Sequence, residues 1–583
     1  MHYNKYMMQK FLVSIILFVI FVATSWSLFR SELFYVHDFI HAARVAEMAR
    51  GIQDCQIPVR WSANFGYGYG MPLFEFYAPL PYFIGALFWL AHVPIEIVVK
   101  ILFIFPSSIT IFASYKLGRQ WLTPLGGCIV AAAIALAPYR AVNLFVRGAI
   151  AESWGMAFFI LSLWAIVLVV EKKRHGVLWL LSGLTGILLS HNLTALISIP
   201  ALGIWTVLIV VLSAVKHKAT RQTYLSSFWI ICRQSLRNLS IVAMLTLGLS
   251  AFYWLPALAE KQLTQMDATI LTGYFDFRLH FLYIRQLITP FWGYGGSGWG
   301  PDDGMSFFLG FGQLIGGLVT ILTAIFVTIR VFVNKTANTL SANFLLLFLF
   351  SQLILLYAIF FSLFHSQFIW EIASPLLGTI QFPWRFLALA SAMLGFSSSL
   401  WLMYWPKKIG YVTGVLLLLM LLTNARYFMP NEYLDNSDDL YYTESEKIAT
   451  NMSETLPDFI PKGMVLTTPP SSIIRCVPDY NCIEISTVTN RSNGGSARVE
   501  TMDTTTIVLS AAAYPGWSVT VDGNTSSTAT TDEGLISFSL PKGVHAIVWH
   551  LGGSQIRLIA DSITISSLLI FAFLIILSYK KRI

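Results

Sequence analysis

Apolar runs of roughly twenty residues recur along the whole chain, and this repetition constrains the fold more than any single motif does. About 20 helical residues cross a hydrocarbon core of about 30 Å, where the backbone has to satisfy its own hydrogen bonds. Candidate spans cover 11–29, 94–115, 122–139, 152–170, 176–190, 193–213, 238–256, 306–329, 343–364, 384–404, 409–425 and 558–578. With 56% hydrophobic and 12% charged residues among 583, the chain is too apolar for a soluble globule. The first run lacks a small-x-small cleavage site and is followed by Trp26, Phe29 and Arg30, so it reads as an uncleaved anchor.

The net charge of +8 does not point to nucleic acid, because the basic residues sit in short clusters at the ends of apolar runs. These are Lys116 and Arg119, Lys172–Arg174, Lys216–Arg237, Arg330 and Lys335, Lys407 and Lys408, and the Lys580-Lys581-Arg582 tail. Placing every cluster on the cytoplasmic side gives twelve crossings with both termini inside. The parity holds only if Tyr77–Leu90 does not cross. That stretch is short, carries Pro79 and Pro81, and follows Gly66-Tyr67-Gly68-Tyr69-Gly70, so it is expected to lie at the external surface or re-enter it.

The division expected is a transmembrane domain at 1–425 with external loops 30–93 and 257–305, a β-rich external domain at 426–557, and a final helix with a basic tail at 558–583. Short alternating runs at 505–510, 517–521, 535–540 and 545–551, with an Asp522-Gly523-Asn524 turn, suggest a β-sandwich. Five cysteines show no metal-ligand spacing. Cys476 and Cys482 flank Val-Pro-Asp-Tyr-Asn, a spacing open to a disulfide if the region is extracytoplasmic.

This threading puts several ionisable groups on one side of the membrane. Asp38 lies three residues before His41, so the two would share a helix face; a solvated loop acid is the bland alternative. Arg140, Arg147 and Glu152 follow, either as an ion pair capping two helices or as part of a site. Glu152 begins an apolar span, where ionisable groups face a cavity or a partner. His191 falls in a tight turn, as a ligand or an interfacial histidine beside a capping Asn192. Arg385 opens another span, as a snorkelling anchor or as a phosphate clamp through its forked donors. No P-loop, GxGxxG or HExxH motif is present. An external enzyme without nucleotide would need a substrate already in the membrane, and a polyprenyl-phosphate lipid is the natural candidate.

Several motifs together carry a resemblance. They are the His37-Asp38-x-x-His41 loop, Trp61 with Gly66-Tyr67-Gly68-Tyr69-Gly70-Met71-Pro72, and Tyr77-Ala78-Pro79-Leu80-Pro81-Tyr82. Arg147-Gly-x-x-Ala-Glu152, Leu189-Ser190-His191-Asn192-Leu193-Thr194-Ala195, Phe252-Tyr253-Trp254-Leu255-Pro256 and Gln381-Phe382-Pro383-Trp384-Arg385 join them. The chain resembles the bacterial membrane proteins labelled 6-pyruvoyl-tetrahydropterin synthase-related, distant relatives of YfhO-type proteins. Its Ala513-Tyr514-Pro515-Gly516-Trp517 segment, with Val521-Asp522-Gly523 and Leu540-Pro541-Lys542-Gly543-Val544-His545, is similar to the external domain of the YfhO type. Both groups are placed with the GT-C glycosyltransferases.

The resemblance implies a GT-C-like polytopic α-helical enzyme of the bacterial cytoplasmic membrane, with its active site facing outside. In that class the first-loop acid is the catalytic base or a metal ligand, here Asp38, and Glu152 would be the second acid. Mg2+ or Mn2+ is the candidate cofactor. The chain departs from the class in lacking a WWDYG-like signature and in having one Asp rather than an Asp-Glu pair in its first loop. The expected function is an inverting sugar transfer from a polyprenyl-phosphate donor to an extracytoplasmic glycan, lipid or polymer acceptor. Asp38 and Glu152 would be catalytic, and His41, Arg140, Arg147, His191 and Arg385 would bind the lipid phosphate and substrate. A lipid or polysaccharide transporter and a non-catalytic scaffold are the alternatives.

Overall fold

The computed structural model describes residues 2–217, 224–266, 272–334, 338–405, 409–434, 442–453 and 457–580. Lys335, Lys407, Lys408, Lys581, Arg582 and positions 218–223 of the long basic connection lie outside the described residues.

Among the described residues, eight helices are long and apolar enough to cross a membrane: Met7–Phe29, Ile95–Gly118, Ile150–Val170, Asn192–Val215, Phe311–Val333, Thr339–Ser362, Pro383–Met403 and Gln555–Ile576. Two bent pairs raise the number to ten: Pro124–Ala135 with Pro138–Val146 at 51°, and Trp229–Leu249 with Ala251–Leu263 at 67°. The protein is a multi-pass membrane protein. Two runs from the sequence threading form shorter apolar helices, Gly176–Ser190 and Gly414–Tyr427. Leu80–Leu90 is an 11-residue helix, well short of the roughly 20 residues a span requires.

The bends have local causes. Pro138 disfavours helical geometry at the residue before it, and Ala137 is extended at φ −61°, ψ 130°. The second break falls at Ser250, which leaves the helical region at φ −102°, ψ 6°.

The chain forms two compact units that do not follow chain order. One contains Met1–Asp38, Lys100–Thr246 and Leu271–Asn436; the other contains Phe39–Val99, Leu247–Ile270 and Ser437–Ile583. In the first unit, Ile150–Val170 is buried at every position but the half-buried Phe158. It packs against Gly176–Ser190 through small residues: a Cβ on Gly183 would collide with Ser162 Oγ, and one on Gly186 would lie 2.5 Å from the Phe158 ring. Close approach of this kind is how helices associate where apolar burial from water is not the driving force.

The second unit carries two antiparallel sheets. One has four strands in the order Ile474–Val477, Thr505–Ala512, Leu535–Leu540, Ala529–Thr530. The other has five, in the order Cys482–Arg491, Gly494–Thr501, Gly543–Leu551, Trp517–Val521, Asn524–Ser526. Val499, Val519, Ile547 and Trp549 of the larger sheet share one core with Ile507, Leu509 and Phe538 of the smaller. The Cys476–Cys482 disulfide links a strand of each sheet. Asp522 and Gly523 adopt positive φ, 50° and 85°, which suits a two-residue hairpin turn.

The final helix is tied into this unit by buried polar contacts. Arg557 bridges Glu75 at 2.9 Å and Glu260 at 2.7 Å, and the Tyr514 hydroxyl donates to Glu75 at 3.2 Å. Burial pushes the Glu75 carboxyl up to about 8, against the pull of Arg557.

Candidate functional site

The first unit gathers most of the expected groups around one carboxylate. The stretch that builds the site is short and irregular. Pro138 starts a single helical turn, Val142–Val146 widens into π geometry, and the Arg147 N–H reaches back to the Val142 carbonyl at 2.9 Å. Such π segments recur at functional sites. Gly148 then turns the chain at φ +69° before the helix Ile150–Val170 begins.

Gly148 also admits the first loop. A Cβ there would lie 2.5 Å from Val36 Cγ2 and 3.0 Å from the Asp38 carbonyl oxygen. Asp38 donates its backbone N–H to the Arg147 carbonyl at 2.8 Å, and His37 donates to the Val146 carbonyl at 3.0 Å. The half-buried Asp38 is therefore held beside Arg147 by backbone contacts. The His37 ring bonds the Tyr294 carbonyl at 2.8 Å, which joins the segment after residue 272 to the first loop.

Glu152 is 2% exposed and its carboxylate is fully engaged. Tyr139 Oη donates to Oε1 at 2.7 Å and Asn143 Nδ2 donates to it at 3.1 Å. Arg147 Nη1 donates to Oε2 at 2.8 Å, and Arg385 Nε lies 3.6 Å from that same oxygen. Arg147 also donates to Asn143 Oδ1. Both guanidinium groups lie over aromatic rings, Arg147 4.4 Å from the Trp384 centroid and Arg385 4.8 Å from that of Phe382. Arg385 Nη1 donates to the Ile380 carbonyl at 2.6 Å. The chemistry follows from this inventory. A carboxylate that accepts three hydrogen bonds, with a second guanidinium 3.6 Å away, is a firm anchor for two guanidinium groups. With Asp38 counted, two cations face two acids, and the guanidinium forks supply the donors that an anion needs.

His191 belongs to this neighbourhood through its turn. A Cβ on Gly155, one helical turn after Glu152, would lie 3.2 Å from His191 Cβ and 3.0 Å from Thr194 Cβ. His191 Nδ1 accepts from the Thr194 N–H at 3.1 Å and pairs with its hydroxyl at 2.7 Å. Burial, helped by Arg385 and Arg147 and opposed by Glu152, holds the imidazole well below its ordinary range.

Two expected residues do not join the cluster. Arg140 is 2% exposed and donates to the Ala135 carbonyl at 2.7 Å and to Ser107 Oγ at 3.2 Å, so it braces helix ends. The short helix Pro138–Ala141 sends Tyr139, and not Arg140, to Glu152. His41 belongs to the second unit, buried, with its Nδ1 3.0 Å from the Tyr82 hydroxyl, to which Arg44 donates at 2.9 Å. Sequence reading missed Tyr139, Asn143 and Trp384. Tyr139 and Asn143 stand four residues apart, the spacing of one helix face, which was the available signal.

Among the described residues no three His, Cys, Asp or Glu side chains gather as a metal set. Glu152, faced by two guanidinium groups, does not suit a cation.

No family model matches the chain, and no curated protein matches it. Solved structures similar to it include the arabinofuranosyltransferase AftD from Mycobacteria, at 12% identity and a TM-score of 0.44 over 73% of this chain and 28% of that one. Another is the Archaeoglobus fulgidus oligosaccharyltransferase in the apo form, at 10% identity and a TM-score of 0.38 over 75% of this chain and 60% of that one. The chain thus spans less than two thirds of the length of each, and under a third of the first.

Proposed function

We propose that this protein is a GT-C-type glycosyltransferase that moves a sugar, with inversion, from a polyprenyl-phosphate donor to an extracytoplasmic glycan, lipid or polymer acceptor. On this reading it lies in the bacterial cytoplasmic membrane, with twelve spans and its β-sandwich outside. The observation that carries the proposal is the Arg147–Glu152–Arg385 cluster, held next to Asp38 by the backbone of the first loop.

In the mechanism, Asp38 accepts the proton of the acceptor hydroxyl as that oxygen attacks the anomeric carbon. The bond to the phosphate oxygen breaks with its electron pair, and Arg147 and Arg385 offset the charge on the departing lipid phosphate. The phosphate leaves without being protonated. Glu152 positions both guanidinium groups, and neutral His191 can donate a hydrogen bond. Metal dependence would rest on Asp38, and a chelator followed by Mg2+ or Mn2+ distinguishes that role from plain base catalysis.

Arg385→Lys tests the phosphate assignment. Lysine keeps the charge but loses the planar fork that faces Glu152 and lies over Phe382. Binding of undecaprenyl phosphate to the purified protein is expected to weaken about tenfold or more. Binding equal to that of the unaltered protein would remove the clamp from the account.

A further inference from the structure

The Gly66-Tyr67-Gly68-Tyr69-Gly70 motif has no part in the cluster above, yet it shapes a second site within the other unit. The three glycines adopt φ values of +65°, +83° and +83°, which other residues rarely adopt. A Cβ on Gly70 would lie 2.5 Å from the Trp61 indole nitrogen, and one on Gly68 would lie 3.2 Å from Pro470. The loop is closed by paired backbone bonds between Ser62 and Met71 at 2.9 Å each. The Ala512 N–H donates to the Tyr69 carbonyl at 2.8 Å, joining the loop to the smaller sheet. The Tyr67 N–H donates to Ser453 Oγ, also at 2.8 Å.

Between this loop and the two sheets lies a cavity of about 130 Å3. Its walls include Trp61, Tyr69, Trp517, Asn64, Asn490 and Arg491, and no Asp or Glu lines it. The rim is fixed from behind: Ser492 donates its N–H to Asp54 at 2.6 Å and accepts from Gln56 at 2.9 Å, and Asn64 donates to Glu47 at 2.6 Å. The Trp517 side chain lines the cavity, while its indole N–H presents no surface there and has no acceptor among the described residues. Arg491 is exposed and takes part in none of the ion pairs among the described residues.

We propose that this cavity is a subsite for one terminal sugar ring of a glycan acceptor. Indole and phenol rings offer apolar faces to the C–H side of a sugar, while amide and guanidinium groups answer its hydroxyl and ring oxygens. The volume suits one ring; drug-sized pockets run to about 300–1,000 Å3. A hydrocarbon tail would leave the polar groups unpaired, and the absence of lining carboxylates disfavours a cation. The proposal rests on the transferase reading for the word acceptor, and on the cavity alone for the sugar.

The test is saturation-transfer NMR on the full chain in lipid nanodiscs, with the methyl glycosides of glucose, galactose, mannose and arabinose at millimolar concentration. Ring-proton signals from at least one glycoside are expected, reduced about tenfold in Arg491→Ala and lost in Trp517→Leu. Arg491 is exposed, so that variant keeps the fold even if Trp517→Leu does not. No signal from any glycoside, or signals unchanged in Arg491→Ala, would overturn the subsite. Glycoside binding that depends on Arg491, together with full sugar transfer by Asp38→Asn, would keep the subsite and remove the proposed mechanism.

Discussion

Replacing Glu152 with Gln separates a charge anchor from a catalytic acid. Gln keeps an oxygen for Tyr139 and Asn143 but turns an amide toward Arg147 and Arg385, donor against donor. The carboxylate is 2% exposed and each guanidinium side chain is 12% exposed, so solvent cannot replace the lost charge. Breaking a buried pair from one side costs about 3–5 kcal/mol, a large share of the 5–15 kcal/mol that typically holds a fold. Thermal unfolding of the detergent-purified variant should therefore shift down by several degrees. Adding Arg385→Gln should return part of the loss, with a coupling of about 0.5–3 kcal/mol in a double-mutant cycle. A Glu152→Gln protein that melts with the parent yet transfers no sugar would refute the anchor and make Glu152 a catalytic group.

Two further outcomes follow from the geometry. Gly148→Ala forces a side chain into a left-handed position against Val36 and the Asp38 carbonyl; a loss of more than about 1 kcal/mol is expected, with turnover falling further because Asp38 shifts, and a neutral substitution would contradict the close approach. Glu75 is a pH-sensitive group of the second unit: its folded value of about 8 lies above its ordinary one of 4.5, so the folded state binds the extra proton. Its contribution is full below about pH 4.5 and is lost as pH rises through 8. The melting temperature should fall between pH 6 and 9 and flatten in Glu75→Gln, and an equal slope in both proteins would count against it.

The long spans were legible because an uninterrupted apolar run of span length has few other fates. The bend at Ala137 was harder to see, since the run 122–139 reads as continuous until Pro138 acts on the residue before it. In the β region the alternating runs gave four strands. The strands Ile474–Val477, Cys482–Arg491 and Gly494–Thr501 were missed, because their polar residues and glycines hide the alternation. At the site, Asp38, Arg147, Glu152 and Arg385 were visible as ionisable residues flanking spans. Their partners were not, because whether Tyr139 or Arg140 faces Glu152 depends on the rotation of one helical turn. His41 shared a sequence neighbourhood with Asp38, but burial beside Tyr82 and Arg44 gives it a structural setting in the other unit.

In the proposed mechanism, a carboxylate beside two anchored guanidinium groups activates an acceptor for attack on a lipid-phosphate sugar. Asp38→Asn tests it most directly, because the amide keeps the shape and removes the charge. The measurement is single-turnover sugar transfer from a polyprenyl-phosphate sugar, with undecaprenyl phosphate binding followed on the same preparation. Asp38→Asn is expected to fold, to bind the lipid phosphate as before and to transfer about 10²–10⁴-fold more slowly. Transfer at the unaltered rate would contradict the mechanism.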